Sequence, residues 1–162
     1  MRFMRKARYF IIAGIVLLDQ SVKFAVRHTM YVGQSIPIIG DVFHLTYVQN
    51  TGAAFSLFEG RFAFLTMIPL LALLFAVWYM EKHKNAHITL ILSLVLIIPG
   101  GFGNLLDRIT LGYVTDMFDF RFWPVFNIAD IAICLGCVFL VVYIFFYFDR
   151  PEKADMGEEC ES

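Results

Sequence analysis

Apolar positions along this chain gather in four runs, with the polar residues between them or in tight groups inside them. The first run covers residues 9–18, is interrupted by Asp19, Gln20, Ser21 and Lys23, and resumes over 24–26. The second, residues 62–80, is nineteen residues long and apolar apart from Thr66, with Pro69 tolerated inside it. A third opens at Ile88 and closes on Pro99-Gly100-Gly101-Phe102-Gly103, and a fourth covers residues 126–148. A helix needs about 20 apolar residues to cross the roughly 30 Å hydrocarbon core of a bilayer. The pattern therefore predicts four membrane spans, at about residues 9–26, 62–80, 88–105 and 126–148. The proline and glycines closing the third run are expected to bend or loosen that helix end and expose backbone groups.

Between the first two spans, residues 29–60 form the one long stretch with the character of water-exposed structure. Residues 36–39 and 42–48 are short β-rich runs around a Gly40-Asp41 turn signal. They predict a small hairpin or curved sheet lying on the membrane surface, within an outer β region of about residues 30–58. Its end, Asn50-Thr51-Gly52-Ala53-Ala54-Phe55, is rich in small side chains, which permit close backbone approach to a helix or an extended ligand. The acidic tail, about residues 150–162, is expected to be disordered. The fold class is thus a mainly α membrane protein: four transmembrane helices, with a small β-sheet cradle between helices 1 and 2, in a single domain over residues 1–162.

Composition supports this: 59% of residues are hydrophobic, 17% are charged and mean hydropathy is +0.70. A net charge of −1, with no basic patch interleaved with aromatics, argues against nucleic-acid binding. Four spans place both ends on one side, together with the loop between spans two and three. That side holds Arg2, Arg5, Lys6, Arg8, Lys82, Lys84, Arg150 and Lys153, eight of the thirteen basic residues. The positive-inside rule then makes both termini cytoplasmic. A basic start before an apolar run also fits a signal peptide, but no small-residue cleavage site follows, so a retained first span is expected. Three cysteines make no disulfide framework. Cys134 and Cys137 sit three apart in an apolar run, where cysteine behaves as a small hydrophobe.

The candidate chemistry lies between the third and fourth spans. Asn104, Asp107 and Arg108 fall at the outer end of span three, Asp116 in the connector, and Asn127 and Asp130 in the first turns of span four. Ionisable groups at that depth are costly and mark a functional site. Asn50 approaches from the sheet, so these groups are expected to converge on one pocket near the outer leaflet. In span one, Asp19 and Lys23 are four apart, on one helix face, either neutralising each other or also bracing the site. Asp107 and Arg108 form a structural ion pair, or Arg108 contacts substrate. His83 and His87 lack the glutamate of a zinc motif, and Ser21 and Lys23 point to different helix faces. No metal or cofactor is implied. Two carboxyl groups, Asp116 and Asp130, are the economical choice: close together they share a proton, so one serves as base towards water and the other as acid towards a carbonyl. A solvated role for Asp116 and Asp119 remains open from spacing alone. So does a proton relay through Asp19, Asp107 and Asp130. A presenilin-type Gly-x-Gly-Asp signature is only grazed, since Gly101-Phe102-Gly103 is followed by Asn104.

Five motifs in order resemble those of the bacterial lipoprotein signal peptidases (signal peptidase II). They are Asp19-Gln20-Ser21-Val22-Lys23, Asn50-Thr51-Gly52-Ala53-Ala54-Phe55, Gly103-Asn104-Leu105-Leu106-Asp107-Arg108, Val114-Thr115-Asp116 and Phe126-Asn127-Ile128-Ala129-Asp130. The resemblance covers about residues 9–148 and implies an aspartyl endopeptidase of the bacterial inner membrane. In it Asp116 and Asp130 take the catalytic positions. Asn50, Asn104, Arg108 and Asn127 match residues that hold substrate and pocket, and Asp19 and Asp107 match acids that support them; Gly52 and Lys23 are expected beside them as substrate-binding or structural residues. The implied partners are membrane lipids and a prolipoprotein whose cysteine carries a diacylglyceryl group, cut just before that cysteine; a monomer is favoured. Thr115 stands where the family often has valine, and the segment from Asp116 to Asp130 is rather short, which bears on the loop covering the site.

Overall fold

The computed structural model describes residues 2–52 and 62–148. The expected disorder of 150–162, the far end of the β region and the Ala53-Ala54-Phe55 part of its motif lie outside the described residues. Four helices, α1 (Arg2–Thr29), α2 (Phe62–Lys82), α3 (Ile88–Leu111) and α4 (Ile128–Phe146), accompany strands β1 (Ser35–Ile39), β2 (Phe43–Asn50) and β3 (Val114–Asp119). Each helix contains a segment long and apolar enough to cross a membrane. Outward-facing residues such as Leu17, Phe24, Leu71, Phe75 and Phe145 are exposed, as lipid contact requires.

Helix α3 is the centre of the bundle, packed against α1, α2 and α4. It does not loosen at Pro99–Gly103 as expected but runs unbroken through this stretch to Leu111, ending at Gly112, whose φ of 82° is left-handed. The glycines are there for close packing. A Cβ at Gly100 would sit 2.5 Å from the Ala129 carbonyl oxygen of α4, and one at Gly103 would sit 2.6 Å from the Asp19 carboxylate of α1. From the other side, Gly136 of α4 admits the backbone of Ser93, whose carbonyl oxygen lies 2.8 Å from where a Cβ would be. Small residues replace helix breaking with backbone proximity, which in a membrane supplies the packing that lipid cannot drive.

The predicted hairpin is present as β1 and β2, but the sheet has three antiparallel strands in the order β1-β2-β3. The third comes from the segment expected to be a mere connector. Its register pairs Val48 with Asp116 and Asn50 with Val114. A cluster of Val26, Met30, Tyr47 and Met117 fastens the sheet to the end of α1. A second core, Ala76, Met80, Leu90, Ile91, Leu94, Val95 and Ile98, joins α2 to α3. At that end of the molecule Arg8 donates to the Lys84 carbonyl (2.6 Å) and Tyr9 donates to Glu81, closing the start of α1 onto the α2–α3 turn.

Candidate active site

The site is assembled on the first turn of α4. Asn127 caps that helix in a reciprocal box: its Oδ1 accepts from the Asp130 N–H (3.0 Å), and Asp130 Oδ2 accepts from the Asn127 N–H (3.1 Å). Asp19, reaching across from α1, accepts from the Ala129 N–H at 3.0 Å. Backbone donors that a helix start leaves unpaired are thereby satisfied, one of them by another helix.

Asn127 also joins the two acids. Its Nδ2 donates to Asp116 Oδ1 (2.6 Å) and to Asn104 Oδ1 (3.1 Å), while Asn104 Nδ2 donates to Asp130 Oδ1 (2.8 Å). Asn50 Nδ2 supplies the remaining donor, to Asp116 Oδ2 at 2.9 Å. All four carboxylate oxygens thus accept from a side-chain amide or a backbone N–H. Asp116 is 2% exposed. Burial pushes its carboxyl up to about 6, helped by nearby Asp130, while hydrogen bonds from Asn50 and Asn127 and the charge of Lys23 pull the other way.

Around this pair the other predicted residues fall into two groups. On the sheet side, Asn50 Oδ1 accepts from the Gly52 N–H (3.0 Å), and Arg108 Nη2 donates to the Gly52 carbonyl (3.1 Å). Arg108 therefore holds the end of β2 and is not the ion-pair partner of Asp107. On the other side, Lys23 Nζ lies 3.0 Å from Asp19 and 3.2 Å from Asp107, and donates to Asn104 Oδ1 at 2.9 Å. Asp107 Oδ2 accepts from the Thr115 N–H (3.0 Å), next in sequence to Asp116.

Two members of this network were not singled out from sequence. Gln20 Nε2 lies 3.1 Å from Asp19, 3.2 Å from Asp107 and 3.2 Å from the Gly103 carbonyl. Arg27 Nη1 is 3.6 Å from Asp107 and donates to Thr115 Oγ1 at 3.1 Å. The signal for Arg27 was available: Asp19, Lys23 and Arg27 recur every four residues, one polar stripe on an apolar helix.

Asp119 is not a solvated twin of Asp116. Three residues on in a strand, it points to the opposite face. It accepts from Thr46 Oγ1 (2.8 Å), the Arg121 N–H (2.8 Å) and Arg121 Nη1 (3.2 Å). Burial works to raise its pKa, but these bonds and the Arg121 charge outweigh it and hold the carboxyl below its usual range. The histidines of the α2–α3 turn serve helix ends: His87 Nδ1 accepts from the Thr89 N–H (3.3 Å), and His83 Nδ1 lies 3.1 Å from the Tyr79 carbonyl. Cys134 and Cys137 face outward as free thiols.

Known proteins share this arrangement of chain. The family model described as signal peptidase (SPase) II matches residues 11–146. The lipoprotein signal peptidase of Halothermothrix orenii is 47% identical over 136 residues, covering 84% of this chain and 93% of that protein. That of Clostridioides difficile is 45% identical over 139 residues, covering 85% and 93%. In fold, the chain is similar to a bacterial membrane enzyme solved by the in meso method at 2.3 Å resolution, with a TM-score of 0.84, 24% identity, and 96% and 95% of the two chains covered. A second such enzyme, solved at 1.9 Å, gives a TM-score of 0.79 at 27% identity over 88% of this chain and 94% of that one. Matched over most of its length by the family model and by relatives above 40% identity, this multi-pass bacterial membrane protein belongs to the signal peptidase II family.

Proposed function

We propose that Asp116 and Asp130 are the acids with which this signal peptidase cuts the signal peptide from prolipoproteins, just before a diacylglyceryl-modified cysteine. The observation that carries this is the shared amide of Asn127, which ties Asp116 directly, and Asp130 through Asn104 and the capping box, into one hydrogen-bonded unit. Asp116, buried and raised to about 6, is suited to hold the shared proton. Asp130, in the first turn of α4, sits where the helix dipole favours negative charge. Asp130 takes a proton from water as the water oxygen attacks the scissile carbonyl, and Asp116 gives its proton to the carbonyl oxygen. Collapse of the resulting gem-diol breaks the C–N bond: the proton held by Asp130 passes to the leaving amine, and one hydroxyl proton returns to Asp116 as the carbonyl re-forms, restoring the starting pair. A lipid anchor on the substrate fixes the amide at one depth, replacing a search through solution with one in a plane. The acids then lie near the outer leaflet and both termini are cytoplasmic.

A proton relay through Asp19, Asp107 and Asp130 would need acids free to change protonation. Asp19 and Asp107 are each bound to Lys23, which favours the peptidase. The deciding experiment compares diacylglyceryl-modified with unmodified prolipoprotein as substrate of the purified enzyme. Cleavage is expected only for the modified form and is expected to survive EDTA. Equal cleavage of both, or EDTA inhibition reversed by zinc, overturns the proposal.

The pH profile follows from the proton on Asp116. That proton is present below about pH 6 and lost above it, so kcat/KM in the free enzyme is expected to fall on the alkaline side with an apparent pKa near 6, belonging to the pair. Asn50→Ala removes a donor that favours the ionised form and should move this limb to higher pH. A limb that stays put, or one that moves down, detaches it from Asp116.

A further inference from the structure

Lys23 is fully buried, and its ammonium has three donors and three oxygen neighbours: Asn104 Oδ1 at 2.9 Å, Asp19 Oδ2 at 3.0 Å and Asp107 Oδ2 at 3.2 Å. Neutralising the two carboxylates accounts for two of these. The third, to a neutral amide, does something different.

We infer that Lys23 is a positioning residue of the peptidase reaction: its ammonium fixes the rotation of the Asn104 amide, and that amide orients the donors on both acids. An amide has one accepting and one donating end. Against an ammonium only the oxygen can face inward, because a reversed amide would set N–H against N–H in a buried site. With Asn104 Oδ1 turned to Lys23, its Nδ2 is left for Asp130 Oδ1. The same oxygen takes one N–H of Asn127, whose other N–H goes to Asp116 Oδ1. One charge on α1 thus sets the hydrogen-bond direction at Asp130 on α4 and, one amide further, at Asp116 on β3. Lys23 has this role only if Asp116 and Asp130 are the acids proposed above.

Lys23 also completes a charge balance. The charged groups around it are Asp19 and Arg27 on α1 and Asp107 on α3, with Arg108 on α3, Asp116 on β3 and Asp130 on α4 beyond them. Asp19 and Asp107 against Lys23 and Arg27 sum to zero. Without Lys23 the cluster is left with one negative charge, which strengthens the hold of Asp116 on its proton.

Two variants separate orientation from charge. Lys23→Met is expected to lower kcat by about 10–10²-fold with KM changed less than about twofold, the scale of a misplaced reacting group, and to move the alkaline limb of the pH profile upward. Adding Asp19→Asn restores neutrality. The limb should then return towards its original position, while kcat stays at least about tenfold below that of Asp19→Asn alone. Thermal unfolding in detergent gives the folded fraction for each. A double variant as fast as Asp19→Asn alone overturns the inference, as does activity lost only in step with folded protein. Asp130→Asn is assayed alongside: if it stays active the dyad itself fails, whereas normal Lys23 variants beside an inactive Asp130→Asn remove only the role of Lys23.

Discussion

Asp116→Asn and Asp130→Asn are each expected to lower kcat by about 10²–10⁴-fold, the range that a positioned acid or base contributes, with KM for the lipid-modified substrate little changed. The amide keeps the volume of the carboxyl and adds no charge to a buried site, so the helices should remain assembled. It cannot carry the proton between water and the carbonyl. If the two acids act as one unit, as proposed, the double variant should be about as slow as either single one. A local cost is expected, because each carboxylate oxygen now accepts from a fixed donor, and an Asn would turn its NH₂ towards one of them. That cost appears as a lower unfolding temperature and is separable from the rate by normalising to folded protein. Turnover within tenfold of the parent in either variant would remove that residue from the chemistry.

How much of this was legible beforehand depended on how strongly each residue's surroundings constrain it. The four spans stood out because lipid demands an apolar side chain at nearly every outward position, and the observed helices enclose or closely match the expected ranges. Asp19, Lys23, Asn104, Asp107 and Asp130 stood out for the converse reason, since a polar group within such a run needs a partner. β3 was hidden: six residues, buried on nearly every side, show no alternation, and two of them are acids. The Pro99–Gly103 stretch misled because glycine reads as a breaker, while here it lets Ala129 and the Asp19 carboxylate approach α3. Arg108 was weighed against its sequence neighbour Asp107, yet adjacent helical residues point apart, and its bond goes to the Gly52 carbonyl. The opposite facing of Asp116 and Asp119 follows from strand periodicity once β3 is known to be a strand.

Asp107→Ala is expected to carry the largest loss of stability of any single substitution in the site, about 3–5 kcal/mol, the cost of breaking a buried ionic network by removing one partner. Asp107 is 0% exposed, faces Lys23 and Arg27, and accepts from the Thr115 N–H. Its removal leaves Asp19 against two cations and strands the backbone donor of buried Thr115. Asp107→Asn should cost less, because an amide oxygen can still accept from Thr115. Combining Asp107→Ala with Arg27→Met restores neutrality and should recover part of the loss, a coupling that a double-mutant cycle measured by unfolding in detergent would report as non-additive. Catalysis should not recover with it, since the Thr115 anchor that holds β3, and with it Asp116, against α3 would still be missing. Additive losses in that cycle would mean that Asp107 and Arg27 contribute to stability independently. Recovery of both stability and turnover would mean that the hydrogen bond to Thr115 does not place Asp116.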